Sequence, residues 1–383
     1  MIFSRRRVAV FGYYGAGNLG DDIILYAVIN RLSRFMDKSR IVVISSEFKA
    51  DLSFINSRYG VEAISLFRNP WHLFKALLSC KFLVMGGGGI VQPGLTILSD
   101  FLYALLFRIF GCRVLLLSVG IEFPHSFSIF DKFILRLLMG ISDMVTVRDL
   151  VSKAFLKSLD ISKPVLLVRD LSFLLYDDIH RISKDHLFLK VPDPYVIVVL
   201  KDLQSYRKVV DLNLKSLEDS IVDLCNYLVD VMGLNVIFLV VHHGFRSDVY
   251  ETVRVMKRIN CKNGGRVSIL IYRDLSFMEL LSLISNASCV ISMRFHPILL
   301  AFMVGTPIIG LSYSNKIKTF MEENYLKHYY IDLTRLYDLS IIKRLVSSIL
   351  YHRIEIHEYN AEKIHYECLS EVSCIESLLE QNI

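Results

Sequence analysis

At 383 residues the chain is too long for one ordinary core and fits two domains. A hydrophobic share of 53% points to strands buried on both faces, as in parallel sheets. A formal net charge of +6 suits small anions or a membrane surface, and no RNP, KH or zinc-finger pattern argues for nucleic acid.

The chain opens with "MIFSRRRVAVFGYYG", a basic start followed by a short apolar run that ends in glycine. This reads as a first strand and not as a signal peptide. Strands are predicted at Val8–Phe11, Ile41–Ser45, Ala63–Leu66, Phe82–Met85, Val114–Ser118, Val145–Val147 and Val165–Val168, with helices between them. The greasiest stretch, Phe101 to Ile121, is interrupted by Arg108, Gly111 and Arg113. It reads as helix, glycine stop and strand, because a membrane span needs about 20 predominantly apolar residues. The polar, proline-marked segment "DDIHRISKDHLFLKVPDP", residues 177–194, is the linker candidate. A second series follows at Tyr195–Leu200, Val236–Val241, Ser268–Tyr272, Cys289–Met293 and Ile308–Ser312. From Asp338 onward the tail reads as helices. The expected fold class is therefore α/β, with two Rossmann-like doubly wound domains and the site in the cleft between them. Residues 1–176 form the first domain, 195–337 the second, and 338–383 the C-terminal helices. The seven cysteines are scattered singly, with no CxxC pair. This disfavours a disulfide framework and a structural zinc site and fits a reducing cytoplasm.

Two glycine segments stand out. In "FGYYGAGNLGDDIIL", Gly15 to Gly20 spells the dinucleotide pattern GxGxxG. The acidic pair Asp21 and Asp22 at the helix start would compete with a pyrophosphate for the same dipole end, and Glu47 comes late for a ribose partner. NAD binding is therefore disfavoured. One of Asp21 and Asp22 is expected to cap the helix, and the other to accept a proton or hydrogen bond from a substrate hydroxyl, with Asn18 and Gly20 in the same loop. In "FLVMGGGGIVQPG", Gly86, Gly87, Gly88 and Gly89 read as a loop ending a strand. The amides of such a loop approach a ligand closely or form an anion nest; a tight packed turn is the plainer reading.

The second series ends its fourth strand with "SMRFHPILLAFMVGTP". Pro297 marks a helix start, and Gly305 with Pro307 marks its end. Arg294 offers a two-pronged fork for carboxylate or phosphate, and His296 offers a proton near neutral pH. Ser292 and the helix amides belong to the same turn, and Lys316 either adds charge to the rim or is a solvated helix start. An Arg pairing a carboxylate is the competing reading of Arg294. His242 and His243 end another strand of this series, and either substrate contact or structure accounts for them. No carboxylate at ligand spacing stands near them, so no metal site is expected. Arg148 and Asp149, with Ser152 one turn on, and Arg169 with Asp170, repeat a strand-then-Arg-Asp pattern that reads as buttressing, with substrate contact as the alternative.

Taken in order, "GYYGAGNLGDD", "VMGGGGIVQ", "VTVRDLVS", "VRDLSF" and "SMRFHPILLAFMVGTPIIGLSYSNK" resemble the polysaccharide pyruvyl transferase family over roughly residues 8 to 325. The resemblance implies a GT-B-like fold. It implies transfer of a carboxyethylidene group from phosphoenolpyruvate to a sugar, giving a pyruvate ketal in cell-surface polysaccharide synthesis. It maps the phosphoenolpyruvate site onto Arg294 and His296, and the acceptor onto the first domain. Phosphoenolpyruvate is the co-substrate and no further cofactor is implied. The expected partner is a saccharide, lipid-linked or polymeric, and the implied place is the bacterial cytoplasm, with Arg5-Arg6-Arg7 suited to contact with the membrane's inner face. The alternatives are a nucleotide-sugar glycosyltransferase of the same fold and a non-catalytic binder of anionic glycans.

Overall fold

The computed structural model describes residues 6–181, 191–202, 214–244, 247–260, 266–312, 315–333, 339–352 and 358–380. The chain forms two compact units, Met1–Leu175 with Lys363–Ile383, and Tyr176–Glu362.

The first unit runs β1 (Arg7–Gly12), α1 (Leu19–Leu32), β2 (Ile41–Ser45), α2 (Leu52–Tyr59), β3 (Glu62–Ser65), α3 (Pro70–Ser79), β4 (Cys80–Val91), α4 (Leu95–Ile109), β5 (Arg113–Ile121), α5 (Ile129–Ile141), β6 (Met144–Val147), α6 (Leu150–Lys157) and β7 (Val165–Leu167). Its seven strands lie in the order β3-β2-β1-β4-β5-β6-β7, all parallel. The strands are rich in Val, Ile and Leu and buried on both faces, which is why they read as apolar runs without alternation. Helices α3 to α6 share one face. Ala76, Phe107, Leu135 and Leu156 pack there against Phe11, Leu83 and Leu116.

The second unit holds α7 (Tyr176–His180), β8 (Tyr195–Val199), α8 (Leu214–Asp230), β9 (Asn235–Val240), α9 (Val249–Met256), β10 (Val267–Ile271), α10 (Phe277–Ser285), β11 (Cys289–Ser292), α11 (Phe295–Met303), β12 (Ile308–Ser312), α12 (Asn315–Glu323), β13 (Tyr330–Asp332) and α13 (Leu339–His352). Its six strands lie in the parallel order β10-β9-β8-β11-β12-β13. The last helix, α14 (Glu358–Glu380), returns to the first unit from Lys363 onward. There Arg31 pairs with Glu376, His365 Nδ1 lies 2.8 Å from the Phe173 carbonyl, and the Arg169 amide donates to Glu371 at 2.7 Å.

Both sheets thus carry the Rossmann order, in which the chain reverses direction beside the first strand. The switch point lies between β1 and β4 in the first unit and between β8 and β11 in the second. Two features differ from the sequence reading. Strand β4 continues through Gly86–Gly89 to Val91, so the glycines are not a loop. Strand β13 was not anticipated, because three residues carry no readable period. The linker candidate opens with α7, and its residues 182–190 lie outside the described residues, as does Arg5.

Candidate functional site

In the first unit, candidate residues gather at the carboxyl ends of β1, β4, β5 and β6. The N-cap of α1 is Asn18, whose Oδ1 accepts from the Gly20 amide at 3.2 Å. This corrects the expectation that Asp21 or Asp22 fills that place. Asn has the same capping chemistry and comes earlier in the loop. Asp21 is instead held by the Asn18 side-chain amide at 2.7 Å, and Asp22 is buried with Oδ1 3.4 Å from the Gly15 amide.

The glycine run is explained by what crowds it. A Cβ at Gly86 would overlap the Leu117 carbonyl, and one at Gly87 would overlap Ile24 of α1. A Cβ at Gly88 would lie 3.1 Å from Asp21 Oδ1, and one at Gly89 would overlap the Glu122 carboxylate. So close approach, and not a free anion nest, requires these glycines. The same approach puts two carboxylates, Asp21 and Glu122, beside successive glycines of one strand. Gln92 Nε2 steadies this corner, donating to Gly89 O at 3.0 Å and reaching Glu122 Oε2 at 3.4 Å. The Tyr14 hydroxyl donates to Gly86 O at 2.7 Å; burial first, and the Asp21 charge second, push its pKa well up and keep it protonated.

Arg148 follows β6 and is buried. Its guanidinium lies where a Gly120 side chain would be, and its Nε is 3.5 Å from Asp149 Oδ2. Asp149 caps α6 by accepting from the Ser152 amide at 2.6 Å, and Ser152 Oγ accepts from the Ile121 amide at 2.9 Å. Asp170 holds Ser172, while Arg169 faces the terminal helix through Glu367 and Glu371. Glu47 accepts from the Lys49 amide at 3.0 Å.

In the second unit, β11 delivers Ser292, Arg294 and His296 to the carboxyl edge beside the switch point. The Ser292 hydroxyl donates to the Arg294 carbonyl at 2.7 Å and accepts from the Arg294 amide at 3.0 Å, which locks the turn. Arg294 is the N-cap residue of α11 and offers no side-chain cap. Its fork is turned to Asp248, with Nε to Oδ2 at 3.0 Å and Nη2 to Oδ1 at 2.6 Å. Asp248 is fully buried and also accepts from the Asp202 amide at 2.9 Å. Arg294 Nη2 further donates to His242 Nδ1 at 3.4 Å, and the Asp248 amide donates to the His242 carbonyl at 2.8 Å. The ends of β8, β9 and β11 are thereby tied to one carboxylate.

His296 stands half-buried in the first turn of α11. Its ring meets Phe295 edge-on at 5.4 Å, and the Lys316 ammonium sits 4.2 Å from the centroid of that same Phe295 ring. The Phe295 ring therefore neighbours both the imidazole and the ammonium. Phe320 backs Phe295 at 5.3 Å. His243 belongs to a separate group, receiving Arg273 Nη1 at 3.3 Å and facing Tyr272 at 5.6 Å.

Two participants escaped the sequence reading. Glu122 follows β5 in "SVGIEFP" and was accessible by the carboxyl-end rule that singled out the other strands. Asp248 opens α9 and has the look of an ordinary N-cap, but makes no side-chain cap, because its carboxylate is spent on Arg294. Among the described residues, no group of three or more His, Cys, Asp and Glu is arranged to hold a metal ion.

A doubly wound sheet with charged groups at its carboxyl edge, built twice in one chain, defines a GT-B-like α/β protein. Solved structures agree in fold. UDP-GlcNAc 2-epimerase from Neisseria meningitidis, bound to UDP-GlcNAc, superposes with a TM-score of 0.62 at 14% identity over 97% of this chain and 99% of that one. Anabaena Alr3699/HepE in complex with UDP-glucose gives 0.64 at 12% identity over 97% and 99%. UDP-GlcNAc 2-epimerase from Methanocaldococcus jannaschii gives 0.56 at 12% over 90% and 92%. A comparison with curated proteins found no match. The family model for polysaccharide pyruvyl transferase matches residues 18–315, and the chain belongs to that family.

Proposed function

We propose that the protein transfers a carboxyethylidene group from phosphoenolpyruvate to two hydroxyls of a glycan, forming a pyruvate ketal and releasing phosphate. The observation that carries this reading is that Phe295, at the start of α11, contacts both His296 and Lys316, in a chain of the pyruvyl transferase family.

Phosphoenolpyruvate is a vinyl phosphate with two anionic ends. The Lys316 ammonium and the first amides of α11 suit those charges. His296, as imidazolium, donates its proton to the methylene carbon. That leaves an oxygen-stabilised cation at the central carbon, which a sugar hydroxyl attacks with loss of its own proton. A second hydroxyl then forms the other C–O bond as the C–O bond to phosphate breaks. Arg294 is spent on Asp248, so its part is to fix the turn that presents His296 and to hold positive charge at the rim. On the first unit, Asp21 and Glu122 are carboxylates suited to hydrogen-bond saccharide hydroxyls.

The test is ligand-induced thermal stabilisation. Phosphoenolpyruvate at 100 times its dissociation constant stabilises by about 2.7 kcal/mol. The expected result is a shift with phosphoenolpyruvate that Lys316→Ala reduces, with no shift from UDP-glucose. Because two of the structural neighbours named above hold UDP-sugars, a shift from UDP-glucose and none from phosphoenolpyruvate would replace this reading with glycosyl transfer.

A further inference from the structure

The helical layer formed by α3, α4, α5 and α6 has an unusual outer face. Helix α4 carries large apolar side chains on two sides: Ile97, Ala104 and Phe107 face the sheet, while Leu95, Leu102 and Ile109 face outward at 84%, 52% and 71% exposure. A surface helix ordinarily turns polar residues to that outer side. On α5, Ile129, Phe130 and Phe133 also point out, at 90%, 57% and 53%. On α3, Trp71 stacks on Phe74 at 5.8 Å, and Phe74 meets Phe110 beyond the end of α4 at 6.2 Å. The patch is therefore continuous across three helices, well beyond the scattered apolar residues of a normal surface.

Its charges have one sign. The basic residues of these four helices are Lys75, Arg108, Lys132, Arg136, Lys153 and Lys157, while their two acidic residues, Asp100 and Asp131, are buried. Asp131 is consumed in the Ser128 capping box, and Arg108 is paired with Asp143. Arg7, at the start of β1, does not carry the same case, being paired with Glu62.

We infer that this face seats the protein on an anionic lipid bilayer, with the aromatic and aliphatic side chains entering the headgroup boundary and the lysines and arginines meeting lipid phosphates. No described helix is long and apolar enough to cross a membrane, so the contact is peripheral. A second copy of the chain is the poorer occupant. A two-fold contact would set this basic face against itself and leave like charges opposed. The inference does not depend on the pyruvyl-transfer reading.

Trp71 is the single tryptophan of the chain, 65% exposed on this face, and reports directly. The full chain is mixed with vesicles of phosphatidylcholine alone or with 30 mol % phosphatidylglycerol, and Trp71 emission is recorded. The expected result is a blue shift with the anionic vesicles, quenched by lipids brominated in the acyl chain and weakened by salt. Phe130→Ser with Phe133→Ser should weaken binding at least tenfold. Lys132→Gln with Arg136→Gln should weaken it roughly fivefold per charge. Phe130 and Phe133 are exposed, so the Phe130/Phe133 variant should leave melting temperature and circular dichroism unchanged. An unshifted Trp71 with anionic vesicles overturns the inference, as does a Phe130/Phe133 variant that binds like wild type. A chain that sediments as a dimer, and that the same Phe pair converts to monomer, assigns the face to self-association and overturns it as well.

Discussion

In the turn between β11 and α11, Arg294 directs two donors at a carboxylate with no exposure to solvent. Removing one partner of a buried, hydrogen-bonded pair typically costs about 3–5 kcal/mol, because the other charge is stranded. Arg294→Ala is thus expected to lose about that much stability by urea denaturation, and Asp248→Asn somewhat less; a double variant should show strong coupling between the two. His296→Ala should lower ketal formation about 10²–10⁴-fold, the usual worth of a general acid. A loss below tenfold in phosphate release would assign His296 to binding instead. Asp100 on α4 is a third case. Its Oδ2 is buried without a hydrogen-bond partner, and burial pushes the carboxyl from 3.8 up to about 7. Between those values the folded state holds a proton that the unfolded chain has released, so this group lowers stability as pH rises from about 4 to about 7, with no further change above. Asp100→Asn should flatten that slope and melt higher than wild type at pH 8 by a few degrees.

At the scale of elements, β4 and α1 depend on each other. Gly87 has a φ of +73° and its α-carbon faces Ile24, so a methyl group there is both strained and blocked. Gly87→Ala is expected to destabilise by about 2–4 kcal/mol in thermal unfolding, and Ile24→Ala, which removes the Cγ2 that the new methyl would strike, should relieve only the overlap, leaving the strain in φ. The cap of α6 is a gentler feature. Asp149→Ala removes the acceptor for the Ser152 amide and should cost about 1 kcal/mol. Ser152 also receives the Ile121 amide, so that loosening is expected to reach the carboxyl end of β5, where Glu122 stands.

At the scale of the whole molecule, the first unit is completed by a segment nearly 190 residues further along the chain, counting from Leu175 to Lys363. Val372, Leu379 and Cys368 of α14 are buried, and Glu376 and Glu371 are bonded to Arg31 and to the Arg169 amide. Each buried aliphatic side chain contributes about 1.5–3 kcal/mol. Deleting 363–383 should therefore expose α1 and the segment around Phe173. Hydrogen–deuterium exchange is expected to rise in those parts of the first unit and to stay unchanged in β8 to β12.

Most strands and both candidate corners were legible in the amino-acid order. Val- and Ile-rich runs buried on two faces announce themselves, and the carboxyl-end rule follows from strand direction alone. Strand β13 was too short for any period to show. The glycine run misled because sequence records that a side chain is missing, and only packing tells what fills its place: here Leu117, Ile24 and Glu122. Asp248 went unread for the opposite reason, having only the local signature of a cap. By itself the sequence determined the two-domain α/β class, the strand ends that bear Asp21, Arg148, Arg294 and His296, and the family resemblance, because these rest on local composition and order. Only the tertiary structure decided that Arg294 is spent on Asp248, that Phe295 contacts both His296 and Lys316, and that α4 turns leucines outward. Each of those depends on residues brought together from distant parts of the chain, or on which side of a helix the sheet covers, and no local pattern encodes either.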